Sequence, residues 1–184
     1  MGYILLVLGL ALWSGAHLFK RLAPERRAAM GERGKGLMGI LLLVSVVLMW
    51  IGYRNAGFVN VWFPPAFMVH ISNLLMLIAF WFFALSAIPG TMSARIRHKQ
   101  LTAVKTWAIA HLLVNGDLAS IILFGGLLAW AVVSVILINK AERTWERPAN
   151  ASVKNDVLAF GVGVVAYGVT AAIHTWLGVY PFPA

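Results

Sequence analysis

The residues in this sequence whose types could do chemistry are five histidines, His17, His70, His98, His111 and His174, in a chain that is 61% hydrophobic and only 11% charged. The densest constellation is residues 101–120, LTAVKTWAIAHLLVNGDLAS. On a helix, the face that carries His111 also carries Trp107 at i−4 and Asn115 at i+4. His17 shares its face with Trp13 and Ser14, His70 with Asn73, and His174 with Thr170 and Tyr167. Polar groups at those offsets could orient the second nitrogen of a metal-bound imidazole. A single histidine in a membrane can equally be a hydrogen-bonding group for a neighbouring helix. Four of them in apolar runs are harder to explain that way, because each carries its own cost at that depth.

The rest of the inventory narrows the chemistry. There is no cysteine, which excludes disulfides, iron–sulfur clusters and thiolate ligation and leaves histidine, methionine or oxygen to hold any metal. Apart from Asp117, no carboxylate falls in an apolar run, so neither an oxygen-only metal cage nor a paired-carboxylate acid–base site is supported. There is no HExxH motif and no Ser-His-Asp arrangement to suggest a hydrolase. Haem suits the set better. It needs one or two imidazoles, an apolar slot, and cations near an interface for its propionates. Arg54 is the one outer cation, with interfacial snorkelling as its ordinary role, while Arg95, Arg97 and Lys105 lie on the inner side. Asn115 and Asp117 read first as a turn, with Asp117 capping the helix that follows. Met68 and Met76 flank His70 as ordinary membrane packing.

The elements that must position these residues are membrane helices. A mean hydropathy of +0.83 and several apolar runs of near-membrane length predict an all-α integral membrane protein. The runs fall at about residues 3–19, 36–53, 65–88, 101–114, 118–138 and 157–178, a six-transmembrane-helix bundle forming a single membrane domain over 1–184. The first run has its basic residues after it, not before it, so it reads as a retained span and not a cleaved signal. Glycines at 125, 126, 161, 163 and 168 would let helices approach closely. Of the fifteen Lys and Arg residues, all but Arg54 fall in the first, third and fifth loops or beside them, which puts those loops in the cytoplasm and both termini on the outer side. The net charge of +9 is thereby accounted for by topology and contact with an anionic bilayer, with no nucleic acid as partner. In this arrangement His70, His111 and His174 share the outer half of the membrane, His17 lies near the inner end of the first span, and His98 sits in the loop Arg95-Ile96-Arg97-His98-Lys99. Depth therefore pairs His111 with His70 or His174.

Three segments carry a family resemblance: Ser14-Gly15-Ala16-His17-Leu18 closing the first span, RIRHKQLTAVKTWAIAHLLVNGDLAS in the middle, and HTWLGVYPFP near the C-terminus. Together they resemble the NnrU family of bacterial inner-membrane proteins, related to 15-cis-zeta-carotene isomerase. The resemblance implies a multi-pass protein linked to denitrification and nitric oxide metabolism, and haem b in the isomerase branch. There the haem-ligating histidines resemble His17 and His111, so the resemblance and the depth argument share His111 and differ on its partner. The implied chemistry is redox or isomerase-type, on a small or lipophilic ligand. A non-enzymatic accessory or assembly subunit for a nitrite or nitric oxide reductase is an alternative. A small membrane methyltransferase using an Arg-His-Pro loop to hold S-adenosylmethionine is another, against which Lys99 stands where the proline is expected.

Overall fold

The computed structural model describes residues 1–149 and 151–182. Seven helices occur among them: α1 (Gly2–Leu22), α2 (Pro24–Ala29), α3 (Gly31–Arg54), α4 (Met68–Ala87), α5 (Lys99–Leu112), α6 (Leu118–Ala141) and α7 (Val153–Trp176). No β-strand occurs among the described residues beyond two isolated bridges, Asn60 with Asp117 and Gly90 with Ser152. Five helices, α1, α3, α4, α6 and α7, are long and apolar enough to cross a membrane. The chain is a multi-pass membrane protein. The remaining expected span, α5, has 14 residues. At about 1.5 Å per residue it is roughly 21 Å long, short of a hydrocarbon core of about 30 Å.

The basic stretch after the first span is more ordered than the sequence suggested. Pro24 supplies a pre-set φ at the first helical position, Glu25 sits in the first turn and Arg26 and Arg27 in the last, which together suit a short helix, α2. Gly31 turns the chain with φ of 52°, and α3 begins there, five residues ahead of the apolar run.

The helices group into two compact units, each made of two stretches of chain: residues 1–63 with 115–141, and residues 64–114 with 142–184. In the first unit α1 and α3 run antiparallel with their backbones nearly touching. A Cβ on Gly9 would stand 2.8 Å from the Met49 nitrogen and 2.9 Å from the Ser45 carbonyl oxygen, and one on Gly52 would stand 2.8 Å from Leu6 Cα. Leu6 and Ser45 are fully buried there. Helix α6 runs parallel to α1, with Gly126 against the end of Leu10 and Trp130 beside His17. Of the glycines expected to give close approach, Gly126 and Gly163 do so, Gly163 against the Trp81 backbone, whereas Gly125, Gly161 and Gly168 face open space. The close backbone approach of α1 to α3 rests instead on Gly2, Gly9 and Gly52.

The start of α6 is fixed by a side-chain chain of hydrogen bonds. Asp117 Oδ1 accepts from the Ser120 backbone N–H at 2.9 Å and Oδ2 accepts from the Ser120 hydroxyl at 2.5 Å. With that proton committed to Asp117, Tyr53 donates its own hydroxyl to Ser120 Oγ at 2.8 Å.

The second unit packs α4 antiparallel to both α5 and α7. At one end Ser72 donates to the Ala110 carbonyl at 2.9 Å, and Asn73 bridges Tyr167 (2.8 Å) and the Pro181 carbonyl (3.0 Å). At the other end Asp156 gathers the loop after α4, accepting from the Thr91 N–H at 3.0 Å, the Met92 N–H at 3.1 Å and the Thr91 hydroxyl.

Candidate functional site

The antiparallel packing of the second unit decides where its histidines lie. His70 is the third residue of α4, His111 the last but one of α5, and His174 the third from the end of α7. Because α4 runs opposite to its two neighbours, these positions gather at the end of the unit marked by Ser72, Asn73 and Ala110. His98, the N-cap residue of α5, lies at the opposite end. His111 and His174 both stand near the C-terminal ends of their helices, at this same end of the unit. His111 meets the edge of Trp107, its i−4 neighbour, with ring centroids 5.1 Å apart. His70 is exposed.

The polar groups around this cluster have mostly local partners. Asn73, expected on the His70 face, spends both ends of its amide on Tyr167 and Pro181. Thr170 serves His174 through its backbone and not its hydroxyl: Nδ1 of His174 lies 2.8 Å from the Thr170 carbonyl oxygen. A carbonyl can only accept, so Nδ1 carries the proton and the Nε2 lone pair of the neutral ring is left for a ligand. That tautomer, held by a backbone acceptor, is the one metal-bound imidazoles require.

His17 is prepared in the same way in the first unit, with Nδ1 donating to the Trp13 carbonyl at 3.0 Å. Its ring forms a triangle with two indoles, Trp13 at 4.2 Å and Trp130 at 4.7 Å between centroids, which themselves lie 5.3 Å apart. Both indole N–H groups are buried without an acceptor. Buried donors left unpaired are costly, so the pair marks a place where an acceptor on a bound group would be stabilising. Trp130 carries no signal in sequence, since it is one more aromatic in an apolar run and meets His17 only through the parallel packing of α1 and α6. A third buried indole N–H without a partner, that of Trp81, lies in the second unit beside Phe160.

The other candidates take structural places. Arg54 ends α3 in solvent-accessible surroundings, with its guanidinium 6.0 Å from the ring of Trp50. Asn115 lies in the turn before α6, beyond the end of α5, and is half-buried. Among the cations expected on the inner side, Arg97 donates to the Glu142 carbonyl at 2.5 Å, and the neighbouring Lys99 opens α5 with its ammonium 3.4 Å from the Ser93 carbonyl. Among the described residues no three His, Asp or Glu side chains converge in a manner that would hold a bare metal ion. A haem iron makes a smaller demand, one or two imidazoles with Nε2 available, and His174 and His17, each with Nδ1 on a backbone carbonyl, are residues that could meet it.

Comparison with known families matches the model of the NnrU family, described as NnrU protein, to residues 5–181. This chain belongs to the NnrU family. The match takes in both structural units and all of the histidines. Comparison with curated proteins and with solved structures finds no match.

Proposed function

We propose that this NnrU-family protein is a haem b-binding protein of the bacterial inner membrane, linked to denitrification and nitric oxide metabolism, with His111 as one of the residues that would hold the haem. The observation that carries the reading is the placement of His111 and His174 at one end of the second unit, with the His174 tautomer set by the Thr170 carbonyl. His174 is thus the second ligand the geometry favours, and His17, likewise poised at Nε2, is the one the family resemblance implies. Bound haem would supply redox-active iron, a chemistry that suits nitric oxide or an isomerisation of a lipophilic substrate. The protein's own residues orient the imidazoles, and the aromatic edge of Trp107 restrains the His111 ring.

The positive-inside distribution supports six crossings with both termini outside. For that, α5 crosses with help from the residues that flank it, by local thinning of the bilayer or snorkelling of Lys99 and Lys105. In this topology the His70, His111 and His174 end faces outward.

The test is optical. Protein purified after expression with ample haem is expected to show a Soret band that His111→Ala abolishes and His98→Ala leaves intact. Loss of the band in His174→Ala or in His17→Ala identifies the second ligand. The absence of a Soret band from the folded wild-type protein refutes the proposal, and co-purification of a reductase without cofactor would move the function to an accessory subunit.

A further inference from the structure

At the end of the first unit where α1 and α6 finish and α3 begins, the chain forms an open cleft of about 450 Å³. Four of its lining side chains are cations, Lys20, Arg21, Arg27 and Lys35, and none is acidic. Pro24, Ala28 and Ala141 supply the remaining, apolar surface. A volume within the range of about 300–1,000 Å³ is typical of sites for small ligands. Like charges crowded into one cleft raise its potential and favour an anion.

The cations are placed, not simply abundant. Helix α2 folds back between α1 and α3, and its Arg27 donates to the Gly31 carbonyl at 3.4 Å. The same guanidinium lies over Gly34, where a Cβ would come within 2.8 Å of Nη1. Arg27 therefore lies across the start of α3. Lys35 pairs with Glu32 at 2.8 Å, but both side chains are largely exposed, so the pair is weak and can yield to a stronger anion. Two arginines with planar forks beside two lysines suit the oxygens of a phosphate better than a single carboxylate.

A stripe of exposed apolar residues starts two positions after Lys35 and runs along α3 through Leu37, Ile40, Val44 and Val47. Its spacing of three and four residues keeps it on one helix face. An anion with a long apolar tail could place its head among the cations and its tail along this stripe.

We propose that this basic cleft is a binding site for a phosphate-bearing anion, supplied by the headgroup of an anionic phospholipid such as phosphatidylglycerol. The site is independent of the histidines and of any haem. Its test uses the full-length protein in mild detergent, with bound lipid counted by native mass spectrometry against added phosphatidylglycerol or phosphatidylcholine. Phosphatidylglycerol is expected to bind preferentially, with about fivefold weaker binding for each cation removed in Lys20→Gln or Arg27→Gln. Arg27→Lys should keep most of the binding. Arg143→Gln, outside the cleft, should change nothing. Displacement of the lipid by millimolar inorganic phosphate would keep the phosphate site and assign it to a soluble anion. Equal binding of the two lipids overturns the proposal, as does a loss in Arg143→Gln equal to that in Lys20→Gln, and thermal unfolding without lipid verifies that each variant is folded.

Discussion

The contact of α1 with α3 makes a sharp prediction about Gly52. Replacing it by alanine adds a Cβ 2.8 Å from Leu6 Cα and 2.9 Å from the Gly2 carbonyl oxygen, with the Leu6 nitrogen closer still. Ordinary contact begins near 3.4 Å, so the helices must separate by at least 0.6 Å (3.4 − 2.8). The obstructing atoms are backbone, and no side-chain rotation relieves them. A gap of about 0.5–1 Å forfeits roughly a quarter to a half of each dispersion contact along the seam. That places Gly52→Ala near the top of the overpacking range, at about 3 kcal/mol. Alanine recovers about 1 kcal/mol of helix propensity over glycine, for a net loss of about 2 kcal/mol.

Gly39, on the same helix with nothing within 4 Å of its Cβ position, provides the reference. Gly39→Ala takes the propensity gain without the clash, so the difference between the two variants isolates the full penalty of about 3 kcal/mol. Unfolding followed by tryptophan fluorescence in detergent, with denaturant titration, measures both. Equal stability of Gly52→Ala and Gly39→Ala would refute the backbone contact between α1 and α3.

Two further predictions concern the carboxylates that organise the loops. Asp156→Ala removes the acceptor for two backbone N–H groups and a hydroxyl after α4, and should cost about 2 kcal/mol and speed proteolysis within residues 88–98, read by unfolding and limited digestion. Asp117→Ala uncaps α6 and should cost about 1 kcal/mol in the same unfolding assay, whereas Asp117→Asn, which keeps an acceptor, should lose less.

Hydropathy makes the long helices legible because a membrane span has to be apolar along its whole length. The ends escape it. Helix α3 begins at Gly31 among charged residues, and α2 exists at all, because a first-turn proline in α2 and charges placed to suit the helix dipole act there, and they carry no apolar signal. The turn at Asn115 to Asp117 was legible from its residue types, and Asp117 does cap α6. Asp156 was not, since its partners are 64 and 65 residues away. Among the site residues, sequence depth placed His70, His111 and His174 at one level, and alternating helix direction gathers them at one end of the second unit. It could not foresee that Trp130 meets His17, or that the backbone of Thr170, not its hydroxyl, orients His174. Those depend on helix rotation, which hydropathy leaves undetermined.

The division of each unit between two stretches of chain has a consequence for biogenesis. The chain passes between the units three times, at residues 63–64, 114–115 and 141–142. The α1–α3 hairpin therefore enters the bilayer well before α6, which starts 64 residues after α3 ends (118 − 54). At translation rates of about 5–20 residues per second the hairpin waits about 3 to 13 s for its third helix. During that interval Trp13 and His17 face lipid or the insertion machinery in place of Trp130. A chaperone or cofactor-loading factor that reads this surface would have to act within those seconds, before α6 covers it.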